Sequence, residues 1–177
     1  RFTDKDEEQI FGLFFDSELT MSFEAGRLSP AEFYSQVKEL LGLQIGYQEF
    51  VPIWQEIFFF SAKNTRVLEL ARRLKTGYQV ALLSNINSLH FDYIQKNFPI
   101  FDAFHPVIAS FELGHVKPDP LIYRKALEII GSNPDQAFYT DDRPELVESA
   151  TALGIKSFVF KGIGQLKKDL LSEGVRF

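Results

Sequence analysis

The sequence predicts an α/β fold: a parallel sheet with helices on both faces, preceded by a small all-helical unit. Three observations predict it. From about residue 61, short apolar runs alternate with helix-spaced amphipathic stretches, the pattern of strand–helix units. Before that point only helical spacing and turns are visible. Ser84-Asn85, Lys117 and Asp141-Asp142 each fall where an apolar run ends and a helical stretch begins. In an open sheet those places are the carboxyl ends of strands, where ligands bind.

Each element has a local signature. Residues 4–19 carry Ile10, Phe11, Phe14, Phe15 and Glu18 on helical spacing, with acidic residues crowding the start. Gly26-Arg27-Leu28 reads as a turn. Ser29-Pro30-Ala31-Glu32 reads as an N-cap, a proline at the first helical position and a glutamate three residues after the cap. The helix it opens puts Phe33, Val37, Leu40 and Leu41 on one face, and Gly42 ends it. A further helix is expected over 47–59. Ten of the 19 phenylalanines precede Ser61, which suits a small unit that builds its core from bulky side chains. The chain is therefore divided into a helical unit, 1–60, and an α/β core, 61–177. In the core, Asn64 is expected to cap a helix with Val67, Leu70, Ala71 and Leu74 inward, ended by Gly77. Strands are expected at 79–83, 105–109, 136–140 and 156–160, and helices at 88–97, 120–130, 144–153 and 163–173. Gly162-Ile163-Gly164 lacks the third glycine of a dinucleotide fingerprint and follows the last strand, so it reads as a loop.

Composition narrows the chemistry. A chain of 177 residues is long enough for one core and a small accessory unit. The absence of cysteine excludes disulfides and thiol catalysis, and fits a reducing, cytoplasmic setting. Three scattered histidines do not suggest a histidine metal cage. The apolar stretch around 57–60 is far too short to span a bilayer, so no membrane association is expected. A net charge of −5 gives no electrostatic footprint for nucleic acid, but leaves a phosphate substrate open, because the local field decides that.

The three polar signals carry the functional reading. After the apolar run Val80-Ala81-Leu82-Leu83, the short side chains of Ser84 and Asn85 can hydrogen-bond phosphoryl oxygens beside a helix start. The alternative is that Ser84, Asn85, Asn87 or Ser88 simply caps that helix. Lys117 precedes Pro118, which biases it to extended backbone, and Asp119-Pro120 reads as the N-cap and first position of the next helix. As an exposed loop lysine it would contribute little to the fold; as a functional cation it offsets charge developing on a phosphoryl group. Asp141 and Asp142 are adjacent carboxylates that repel unless a cation or a helix N-terminus intervenes. They suit Mg²⁺, although Asp141 reads equally well as a helix cap. Arg143 is open to pairing with substrate or with Glu145.

Serine, lysine and acid pair in this order resemble the haloacid dehalogenase-like (HAD) hydrolase superfamily, with Ser84, Lys117 and Asp141-Asp142 as its second, third and fourth motifs. The stretch from Phe23 through Arg27 to Phe33 is similar to the small helical cap of many members. The resemblance implies a Rossmann-like core, a small phosphorylated substrate, an aspartyl-phosphate intermediate, Lys117 as catalytic and phosphate-binding cation with Ser84 and Asn85, and Mg²⁺ held by Asp142 and Asp141. The first motif, an apolar strand ending in Asp-x-Asp, has no counterpart. Phe14-Phe15-Asp16-Ser17-Glu18 is read as helix, and the only methionine is Met21, so the strand is expected upstream of Arg1. The alternatives are a 2-haloacid dehalogenase, which has no use for the acid pair, and a non-catalytic binding module.

Overall fold

The computed structural model describes Ile10, residues 17–58 and residues 61–177. The helix expected over 4–19 falls almost wholly outside these residues. Two units make up the chain: Arg1–Phe59 with Ser84–Asn97 and Ala109–Val116, and Phe60–Leu83 with Phe98–Ile108 and Lys117–Phe177.

The first unit is helical. Ser17 caps α1 (Glu18–Glu24) by accepting from the Thr20 amide. Ser29, Pro30 and Glu32 form the expected capping box at the start of α2 (Pro30–Leu41), and Gly42 closes it at φ 62°. α3 (Tyr47–Gln55) is four residues shorter than expected. Phe23, Phe33, Val37, Leu41, Leu43, Phe50 and Trp54 form the core, with Phe23 stacked on Phe33 at 4.3 Å. Leu40, expected inward, is 47% exposed, because Phe33, Val37 and Leu41 already fill the inner stripe at four-residue spacing. α5 (Ser88–Asn97) and the short α6 (Ser110–Leu113) also belong here. Gly26 has φ 67°, and a Cβ there would collide with the Phe111 carbonyl oxygen. The buried Ser110 hydroxyl donates to the Glu24 carbonyl at 2.6 Å and accepts from the Ile86 amide at 2.9 Å.

The second unit supplies the sheet and its helices. α4 (Ala62–Leu74) is capped by Ser61 rather than Asn64; Asn64, three residues on, returns the capping bond. It buries Leu68, Leu70 and Ala71 and ends before Gly77. Four short strands follow: β1 (Leu82–Ser84), β2 (Val107–Ala109), β3 (Phe138–Asp141) and β4 (Lys156–Val159). β1 pairs with β2, and β3 runs parallel to β4 with Asp141 opposite Val159. Among the described residues these are two separate pairs. α7 (Pro120–Ile130) buries Ile122, Tyr123, Ala126 and Leu127. α8 (Pro144–Thr151) packs on β3 and β4, and α9 (Ile163–Ser172) buries Leu166 and Leu170 beside Leu70. The α/β alternation is thus as the sequence predicts. Among the described residues no helix is long and apolar enough to cross a membrane.

Candidate active site

The carboxyl end of β3 is where side chains of opposite charge meet. Strand alternation sends Tyr139 and Asp141 to one face, two residues apart. Gly114 closes α6 at φ 78°, three residues before Lys117. The Lys117–Pro118 peptide is cis, and Asp119 then caps α7 by accepting from the Leu121 amide at 2.9 Å. The Ser149 hydroxyl, on α8, donates to the Pro118 carbonyl at 2.6 Å and fastens this loop.

Lys117 reaches back from that loop. Its ammonium donates to Asp141 Oδ2 at 2.6 Å and to the Leu83 carbonyl, at the end of β1, at 3.1 Å. The Tyr139 hydroxyl donates to the same Oδ2 at 2.6 Å, and the Arg143 amide to Oδ1 at 3.2 Å. The Lys117 and Asp141 side chains are only 8% and 11% exposed. The expectation of an exposed loop lysine is corrected: one ion pair and one carbonyl draw this side chain inside.

Burial alone would push the Asp141 carboxyl up. The Lys117 charge and hydrogen bond, the Tyr139 hydroxyl and the Arg143 amide outweigh it and hold the group below the usual carboxylate range. The Tyr139 phenol is pushed up, first by burial and then by its bond to Asp141, so it remains a donor.

The other expected residues sit as follows. Asp142 is exposed just past β3 and has no hydrogen bond or ion pair among the described residues. Arg143 pairs with Glu145 at 2.7 Å across an exposed turn. Ser84 ends β1 and donates only weakly, at 3.4 Å, to the Asn85 carbonyl. The capping alternative for Ser84 is removed, because Asn87 serves α5: its side-chain oxygen accepts from the His90 amide at 3.0 Å. Asp141 is likewise no ordinary cap, since the amide it holds belongs to Arg143, the residue before the helix.

Among the described residues no group of three or more His, Cys, Asp or Glu side chains is placed to hold a metal ion, so a cation here would rest on the acid pair completed by other ligands. Mg²⁺ is usually held by one or two carboxylates completed by substrate oxygens and water. Asp142 offers a carboxylate not committed elsewhere among the described residues, whereas both Asp141 oxygens are engaged. Sequence reasoning passed over Tyr139; its place two residues before Asp141 on a strand was the available signal.

Comparison with known proteins places the chain in a family. The family model for haloacid dehalogenase-like hydrolases matches residues 28–154. A D-ribitol-5-phosphate phosphatase of Bacteroides thetaiotaomicron is 28% identical over 141 residues, 76% of this chain and 68% of that protein. A sesquiterpene phosphatase of Aspergillus oryzae is 29% identical over 147 residues, 81% of this chain and 73% of that protein. A HAD family enzyme of Bacteroides thetaiotaomicron, crystallised with magnesium and inorganic phosphate, superposes with a TM-score of 0.74 at 26% identity, covering 91% of this chain and 89% of that one.

Proposed function

The chain belongs to the haloacid dehalogenase-like hydrolase family, and from that premise we propose that it is a Mg²⁺-dependent phosphatase of a small phosphorylated metabolite. The observation that carries the reading is the buried Lys117–Asp141 pair at the end of β3, next to the exposed Asp142. The phosphatase names of two relatives and the magnesium and phosphate held by a solved one support it. Residues 1–60 are assigned as the cap and 61–177 as the catalytic core, with α5 and α6 of the latter stretch grouped with the helical unit.

In this reading Lys117 presents a fixed positive charge to the phosphoryl oxygens, and Ser84 with Asn85 donates hydrogen bonds to them. Asp141 orients the ammonium and takes second place as a metal ligand; Asp142 is the direct one. Bound Mg²⁺ supplies neutralisation of phosphoryl charge. Phosphoryl transfer asks a protein mainly for positioning and electrostatic stabilisation, which a pre-paired lysine in a low-dielectric site provides. The attacking carboxylate that the family resemblance implies is assigned to no described residue.

The test is turnover of a panel containing an aryl phosphate, polyol phosphates and terpenoid phosphates. Phosphate release should require Mg²⁺ and stop with chelator. Chelator-insensitive dehalogenation of a 2-haloacid would replace the phosphatase reading. Ligand binding with no turnover of any substrate would replace it with a binding module.

A further inference from the structure

We infer that Tyr139 is a positioning residue: its hydroxyl and ring fix the Lys117–Asp141 pair in the geometry that serves the phosphoryl group. The inference rests on the reading of Lys117 as the phosphate cation.

Tyr139 touches both members of the pair. Its hydroxyl donates to Asp141 Oδ2, the same oxygen that takes the Lys117 ammonium, each at 2.6 Å. Its ring lies under that ammonium, with Nζ 5.8 Å from the centroid. The Arg143 amide holds the other carboxylate oxygen. The carboxylate is therefore clamped at both oxygens and cannot swing to follow the lysine.

The phenol also shares the negative charge. An oxygen that accepts from a phenol holds an ammonium less tightly than one that accepts from the ammonium alone. Lys117 thus stays in place on an oxygen that it shares with a second donor. Tyr139 is itself fixed, edge-on to the buried Tyr123 ring at 5.5 Å, whose hydroxyl donates to the Leu146 carbonyl at 2.8 Å on α8. The brace therefore runs from α7 and α8 through Tyr139 to the charged pair.

Tyr139→Phe removes the hydroxyl and keeps the ring and its packing. In the intact protein kcat should fall on the order of tenfold with KM nearly unchanged, because misplacing a transition-state cation costs rate rather than ground-state binding. In protein carrying isotope-labelled lysine, the NMR signal of the Lys117 ammonium should shift between wild type and Tyr139→Phe. A lower melting temperature with wild-type kcat and an unmoved ammonium signal marks a merely structural hydroxyl and overturns the inference. So does a loss of kcat with the signal unmoved, since the hydroxyl would then act elsewhere. Adding inorganic phosphate with Mg²⁺ to the wild type tests the underlying reading separately. If phosphate leaves the Lys117 signal in place, Lys117 is not the phosphate cation, whatever Tyr139→Phe does.

Discussion

Acidification should loosen the helical unit through His90. This histidine is 4% exposed on α5, stacked on Trp54 at 4.9 Å and edge-on to Phe58 at 4.8 Å. Asn87 uses its side-chain oxygen for the His90 amide, so its nitrogen faces His90 Nδ1 at 3.0 Å as a donor. Nδ1 must then be an acceptor, and Nε2 carries the proton it gives to the Trp54 carbonyl at 2.9 Å. A second proton would meet the Asn87 donor inside an apolar stack. Burial lowers the His90 pKa from 6.5 to about 4, against the opposing bond to Trp54. The unfolded chain binds the proton first, so stability is complete above the unfolded pKa and falls as pH drops from 6.5 towards 4. The full loss is about 3 kcal/mol, and about 2 kcal/mol is already lost at about pH 5, where ordinary carboxylates are still ionised. Trp54 is the sole tryptophan and sits on the imidazole, so its fluorescence follows the event directly. Urea unfolding followed this way should show a midpoint lower by roughly 1 M at about pH 5 than at neutral pH. His90→Gln, which cannot titrate, should be weaker at neutral pH but nearly flat across the same range. Equal pH dependence in both proteins would refute the reasoning, as would a His90 imidazole that titrates near 6.5 in the folded state.

Lys117→Ala should lower kcat by a hundredfold or more, on the order of losing an oxyanion donor. It should also destabilise the protein by about 3 kcal/mol, because the 11%-exposed Asp141 carboxylate loses its counter-charge; steady-state kinetics beside a melting curve reads both. Gly26→Ala should cost at least about 2 kcal/mol, since it forces a positive φ on alanine and drives a methyl into the Phe111 carbonyl oxygen. Chemical unfolding of that variant checks the figure, and wild-type stability would show that the backbone gives way more easily than described.

Local rules made much of the fold legible. The Ser29-Pro30-Glu32 start, the Asp119-Pro120 start and the glycine stop at position 42 all appear as read, because caps depend on residues within one turn. The same rules could not choose between Ser61 and Asn64, which stand three apart and bond reciprocally. Leu40 was misplaced because helical spacing gives a stripe but not which residues already fill it. The order of serine, lysine and acid pair pointed to the candidate site, yet the burial of Lys117 was invisible: Leu83 and Asp141, to which it bonds, are 34 and 24 residues away. The neutral His90 bound to a carbonyl 36 residues distant was hidden for the same reason.

The direct test of the central proposal is calorimetric binding of inorganic phosphate to wild type and to Asp142→Asn, with and without Mg²⁺. Asp142 is exposed and carries no partner among the described residues, so the substitution should leave the melting temperature unchanged. Wild type should bind phosphate strongly only with Mg²⁺, and Asp142→Asn should lose that enhancement. Phosphate binding that ignores the metal, or that survives unchanged in Asp142→Asn, would contradict a metal-assisted phosphoryl site at the end of β3.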